Sequence, residues 1–105
     1  RCYGAPFLLQ MSGSGLIAPC GHLFNEKFKK FHIGNITTER FKDIWKSDRY
    51  WEVMNYLGSS KFNAQKMCGN LCLQHNANEF LDKYVKKEIN PKKPTGQKPQ
   101  HIHFV

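Results

Sequence analysis

Hydrophobic positions along the chain fall first into short runs and then into helical stripes. Ala5-Pro6-Phe7-Leu8-Leu9-Gln10-Met11 and Leu16-Ile17-Ala18-Pro19 are extended apolar runs. Between them lies Ser12-Gly13-Ser14-Gly15, a glycine-rich turn suited to positive φ, so the pair predicts a β-hairpin. Gly21 to Lys30 reads as loop with Phe24 and Phe28 dipping inward, and Phe31 to Ile36 as a short extended segment. Thr37 or Thr38 is a candidate N-cap for a helix carrying Phe41, Ile44 and Trp45 at i, i+3, i+4 spacing. Ser47 or Asp48 punctuates it. A second helix follows with Tyr50, Val53, Met54 and Leu57 on one stripe and Trp51 beside it, ended by Gly58-Ser59-Ser60. A third places Ala77, Phe80, Leu81, Tyr84 and Val85 opposite Glu79, Asp82, Lys83 and Lys86, and runs to about Lys87 before Asn90-Pro91 stops it. Phe41, Trp45, Tyr50 and Trp51 are expected in the core. No internal repeat is visible.

The fold expected is a small α+β domain over residues 1–88: an N-terminal β-hairpin followed by about three helices around a four-cysteine metal site. Residues 89–105 form a basic Pro/Lys-rich tail whose Pro, Lys, Gln, Thr and Gly composition builds no core, although His101 to Val105 is apolar enough to dock.

Composition adjusts this picture in three ways. At 105 residues the chain is one domain with a modest core, and its eight Phe, four Tyr and two Trp supply bulk. A cross-link or metal would help so small a domain against chain entropy. The formal charge is +8, which favours acidic partners; residues 86–105 carry five Lys and one Glu, about half of the excess. Such a lysine run is more often a solvated linker than a phosphate-binding site, so nucleic acid is an unlikely partner. No apolar run approaches the roughly 20 residues that span a bilayer, and a cytoplasmic setting is expected. The opening at Arg1-Cys2 without Met fits an excised piece of a longer protein.

Chemistry is concentrated in the cysteines. Cys68-Gly69-Asn70-Leu71-Cys72 is a close pair, and Cys2 and Cys20 form a looser one with 17 residues between them. Cys2 precedes the first predicted strand and Cys20 follows the second, so strand pairing brings both thiols to the open end of the hairpin. Thiolate is a soft anionic ligand, and four of them satisfy either zinc or an iron–sulfur cluster. Gly69 and Asn70 allow a tight bend that frees backbone N–H groups to face sulfur. The competing readings are buried free cysteines acting as small hydrophobes and two disulfides in any of three connectivities; the helix-rich pattern is not that of a stapled secreted domain. His75, two residues beyond Cys72 in its spacing, and His22, next but one to Cys20, are weaker ligand candidates, as is the pair His101 and His103. No Ser/His/Asp set, paired carboxylates, P-loop or dinucleotide fingerprint is present, which argues against a hydrolase or transferase.

In order, these elements resemble the SPASM/twitch domain, the C-terminal accessory module of many radical S-adenosylmethionine enzymes. The resemblance rests on Cys2 and the strand after it, Gly15-Leu16-Ile17-Ala18-Pro19-Cys20, Ile33-Gly34-Asn35-Ile36, Phe41-Lys42-Asp43-Ile44-Trp45-Lys46-Ser47, and Cys68-x3-Cys72. It covers about residues 1–87. Full SPASM domains use more cysteines to hold two auxiliary clusters, whereas four cysteines match the shorter twitch-like complement for one. The resemblance therefore implies that Cys2, Cys20, Cys68 and Cys72 ligate a single auxiliary [4Fe-4S] cluster, leaving no iron open to substrate. It further implies an electron-transfer or structural role beside an N-terminal radical S-adenosylmethionine core of the parent chain, acting on a peptide or another substrate. The alternative is a zinc-stabilised binding module whose basic tail meets nucleic acid or an acidic protein.

Overall fold

A computed structural model describes residues 1–68, 72, 74–93 and 96. The turn Gly69-Asn70-Leu71 and the histidines His101 and His103 lie outside the described residues.

The predicted hairpin is present in a shorter form. Strand β1 is Gln10–Met11 and β2 is Leu16–Ala18, antiparallel with Gln10 opposite Ala18 and Met11 opposite Ile17. The N-terminal part of the first apolar run is instead a 3-10 turn, Ala5–Phe7, because Pro6 fixes its own φ and lacks the N–H a ladder requires. Gly15 sits at φ +80 in the connecting turn, and a Cβ there would fall 2.8 Å from Asn35 Oδ1. The extended segment before Thr37 contributes a third strand, β3 (Gly34–Asn35), paired antiparallel with β2 to give the order β1-β2-β3.

Gly21 to Lys30 is more ordered than a loop: 3-10 turns span Gly21–Leu23 and Glu26–Phe31. They deliver Leu23 and Phe31 into the core, with Phe24 and Phe28 half-buried against it. Helix α1 is Phe41–Trp45 and α2 is Asp48–Gly58. Neither threonine caps α1. Asn35 claims both, taking the Thr37 hydroxyl on Oδ1 at 2.7 Å and the Thr38 hydroxyl on its carbonyl at 3.2 Å, and Arg40 stands at the N-cap without a side-chain bond. Ser47 does cap α2, its Oγ accepting from the Tyr50 N–H at 3.1 Å. The α2 stripe Tyr50, Val53, Met54 and Leu57 is buried as its spacing requires, joining Ile17, Leu23, Phe31, Ile33, Ile44 and Phe62.

Three of the four aromatics expected in the core are on the surface. Phe41 is 46% exposed, Trp45 40% and Trp51 55%, while Tyr50 alone is buried. They pack along Tyr50 instead: Phe41 is tilted against Trp45 at 5.7 Å, Trp45 stacks on Tyr50 at 5.4 Å, and Trp51 meets Tyr50 edge-on at 5.0 Å between ring centroids. Helical spacing shows which side chains share a face; it does not supply a surface to cover them.

Two further helices complete the described chain. A short one, α3 (Ala64–Cys68), was not legible in the sequence; Asn63 Oδ1 accepts from the Lys66 N–H and begins it. Helix α4 is His75–Val85. It ends through backbone bonds rather than at Pro91: Lys87 adopts φ 61 and the Glu88 N–H reaches the Lys83 carbonyl at 2.9 Å. Its apolar stripe faces outward, with Phe80, Tyr84 and Val85 exposed. The side turned to the body carries Gln74, Asn78 and Leu81, at i, i+4, i+7. No helix among the described residues is long and apolar enough to cross a membrane.

Candidate metal centre

The four cysteines arrive from three directions at one cavity of about 370 Å³, lined by Cys2, Cys20, Cys68 and Cys72. Cys2 is held over the end of α2 by its N–H, which donates to the Leu57 carbonyl at 2.8 Å. Cys20 follows Pro19 at the end of β2 and opens the 3-10 turn Gly21–Leu23. Cys68 closes α3, and Cys72 precedes α4 on the exposed side. Ala5, Leu57, Phe62 and Ala64 give the same cavity an apolar lining. All four cysteines are free in this structure.

A shared cavity is not a closed ligand shell. Among the described residues, no three His, Cys, Asp or Glu side chains stand together as the ligands of a single ion. Zinc bonds sulfur at about 2.3 Å, so a tetrahedral site draws its thiolates to within about 3.8 Å of one another. An iron–sulfur cluster is itself several atoms across and takes cysteines from wider positions around its periphery. Four soft donors around a roomy, apolar-walled cavity suit the larger group.

The electrostatics of the thiols point the same way. Burial pushes the Cys68 thiol from about 9 up to about 11, with Cys20, Cys2 and Cys72 adding to the rise. Burial raises Cys20 as well, opposed by the backbone N–H groups of His22 and Leu23, with Cys2 and Cys72 adding to the rise. Burial and neighbouring sulfur thus disfavour the Cys20 and Cys68 thiolates, and a cation beside them would relieve the conflict. The metal-free fold holds the Cys68 proton more tightly than the unfolded chain does. Its contribution is therefore complete below about pH 9 and disappears as pH rises through about 11. Urea midpoints of reduced, metal-free protein should fall across that window, and by less in Cys68→Ala; identical pH profiles for the two proteins would contradict the burial of this thiol.

Other expected donors fare differently. His75 opens α4 on the exposed side, where Nε2 lies 3.7 Å from Glu79 Oε1, and does not line the cavity. His22 does reach its rim. The backbone donors expected from Gly69 and Asn70 lie outside the described residues; near Cys20, the Leu23 N–H donates to the Cys20 carbonyl at 3.0 Å. Sequence reasoning missed Gln74 and Asn78, both of which line the cavity. Their spacing in phase with Leu81 was the available signal.

Fold and site together define a small α+β domain with four cysteines lining one cavity. The SPASM iron–sulfur cluster-binding domain matches residues 2–73, and the chain belongs to that family. Iron–sulfur cluster binding is the property membership implies. No curated protein and no solved structure matches the chain.

Proposed function

We propose that the chain carries one auxiliary [4Fe-4S] cluster in a radical S-adenosylmethionine enzyme. The observation that carries this reading is the convergence of four free thiols, distant in sequence, on a single cavity in a member of an iron–sulfur family. Cys2 and Cys20 would hold the group from the hairpin side, Cys68 and Cys72 from α3 and the approach to α4. When bound, the cluster supplies one-electron transfer; with four cysteines on it, no iron is left for substrate. The protein's own contribution is to exclude water through Ala5, Leu57, Phe62 and Ala64 and to place the Asn78 amide donor against the Cys2 sulfur. That environment sets a cluster's potential through burial and hydrogen bonding.

The partner in this reading is the catalytic core of a parent chain, with a peptide or other substrate between the two. Large apolar side chains on the outer face of α4 and at Trp45 and Trp51 are uncovered, which supports a neighbouring protein surface. Anaerobic reconstitution with iron and sulfide tests the cofactor. The expected product is brown, with a broad visible charge-transfer band, about four irons and four sulfides per chain, and a signal in electron paramagnetic resonance after reduction. A colourless protein that retains one zinc per chain under the same conditions would replace this reading with the zinc-stabilised module.

A further inference from the structure

Helix α4 has no buried residue between His75 and Val85, and it lies beyond the segment matched by the family, which ends at residue 73. Its attachment to the body is made by two amides. Gln74, at the N-cap, is 6% exposed and lines the thiol cavity, with its Oε1 buried and unpartnered. One turn later, Asn78 bridges to the N-terminal segment with both ends of its side chain. Oδ1 accepts the Gly4 N–H at 2.7 Å, and Nδ2 donates to Cys2 Sγ at 3.7 Å. The Gly4 N–H can only donate, so the amide oxygen must face it and the NH2 group must face sulfur. Gly4 is what permits this approach, since a Cβ there would run into Gln74 Oε1 and lie 3.3 Å from Asn78 Oδ1.

We infer that Asn78 is a positioning residue for the metal group: it fixes Cys2 toward the cavity and donates a hydrogen bond to its sulfur, so that α4 acts as a latch on the cluster. The inference rests on the cluster-binding reading above. Physically, a reduced cluster carries one more negative charge, spread over its sulfurs. A donor to cysteinyl sulfur stabilises that state and raises the reduction potential. Outer-shell partners of this kind also sustain affinity, their loss costing about 10–100-fold.

Asn78→Asp separates the two ends of the side chain. It keeps an oxygen for the Gly4 N–H and replaces the donor facing Cys2 with a carboxylate oxygen. Asn78→Ala removes the donor without adding charge. The full chain and both variants are reconstituted anaerobically, then compared by redox titration and by bleaching with an iron chelator. Both variants should titrate at a more negative potential than the parent chain, Asn78→Asp more so, and should bleach about 10-fold faster or more, while circular dichroism of the cluster-free forms stays unchanged. Wild-type potential and bleaching rate in folded variants would overturn the inference and leave the cluster reading intact. Variants that fail to fold even without iron would assign Asn78 to the fold alone and overturn it too. A parent chain that takes up no iron–sulfur removes the reading beneath it, and the inference with it.

Discussion

Cys68→Ala should abolish cluster uptake: after anaerobic reconstitution, iron content should fall to about a tenth of the parent level or below, a loss at least as large as that of an outer-shell partner, and the visible band should disappear. Alanine is the appropriate replacement because serine retains an oxygen donor. The structure also indicates where the loss will be felt. Most of the core, from Ile17 and Leu23 to Phe31, Ile44 and Leu57, belongs to the sheet, the 3-10 turns, α1 and α2. Helices α3 and α4 contain no buried residue; α3 rests Ala64, Met67 and Cys68 against the core, and α4 meets the N-terminal segment through Asn78 beside the thiol cavity. Metal binding and folding are linked wherever a site forms only in the folded chain. The Cys68→Ala protein should therefore lose helical signal attributable to α3 and α4 and keep a weakened cooperative melt from the remainder. Cys2→Ala, Cys20→Ala and Cys72→Ala should share the loss of colour. A cysteine whose replacement leaves iron content at the parent level is not a ligand, and a full-strength melt in Cys68→Ala would mean that the thiol cavity does not organise this end of the fold.

The cysteines were legible from the sequence because residue type and order carry the information: four thiols in two separated pairs, each beside turn-forming residues. Helix α2 was legible for a similar reason, since Ser47 supplies its cap and four apolar residues repeat over about two turns. What escaped notice was too short or too dependent on context. Strand β3 was legible as an extended segment but not as a partner of β2, because two residues specify no register, and α3, at five residues, displays no period. Asn78 escaped because the inner face of α4 begins with amides that meet sulfur and a backbone N–H, while the more conspicuous apolar stripe of Phe80, Tyr84 and Val85 points outward. The aromatics Phe41, Trp45 and Trp51 failed as core residues for a related reason. A chain of this size has room to cover only some of its apolar faces, and local spacing does not say which.

The second large effect should come from Phe31→Ala, which tests how the core supports the site. Phe31 is 1% exposed at the end of the 3-10 turn Glu26–Phe31. Its ring centroid lies 5.8 Å from Phe62 in an edge-on arrangement, 5.9 Å from Tyr56 and 6.3 Å from Phe28. Lys30 Nζ sits 5.0 Å over the same ring. Removing the ring costs both its transfer energy and the void left behind, about 3–5 kcal/mol for a buried phenylalanine. Against a total of about 5–15 kcal/mol for a domain, that is about a fifth of the stability or more, and the melting temperature should drop by at least about 12 °C. Phe62 is the link to function: it packs on Phe31 and also forms part of the cavity wall, two residues before α3 begins. Loading the cluster should recover part of the lost melting temperature, because a group that binds only the folded chain stabilises it by mass action. Phe31→Leu, which keeps most of the apolar volume, should cost less than half as much. The measurement is thermal and urea unfolding of cluster-free and reconstituted proteins side by side. A cost below about 1 kcal/mol for Phe31→Ala, well under the range for an enclosed ring, would show that the aromatic cluster relaxes around the gap and does not brace Phe62 against the thiols.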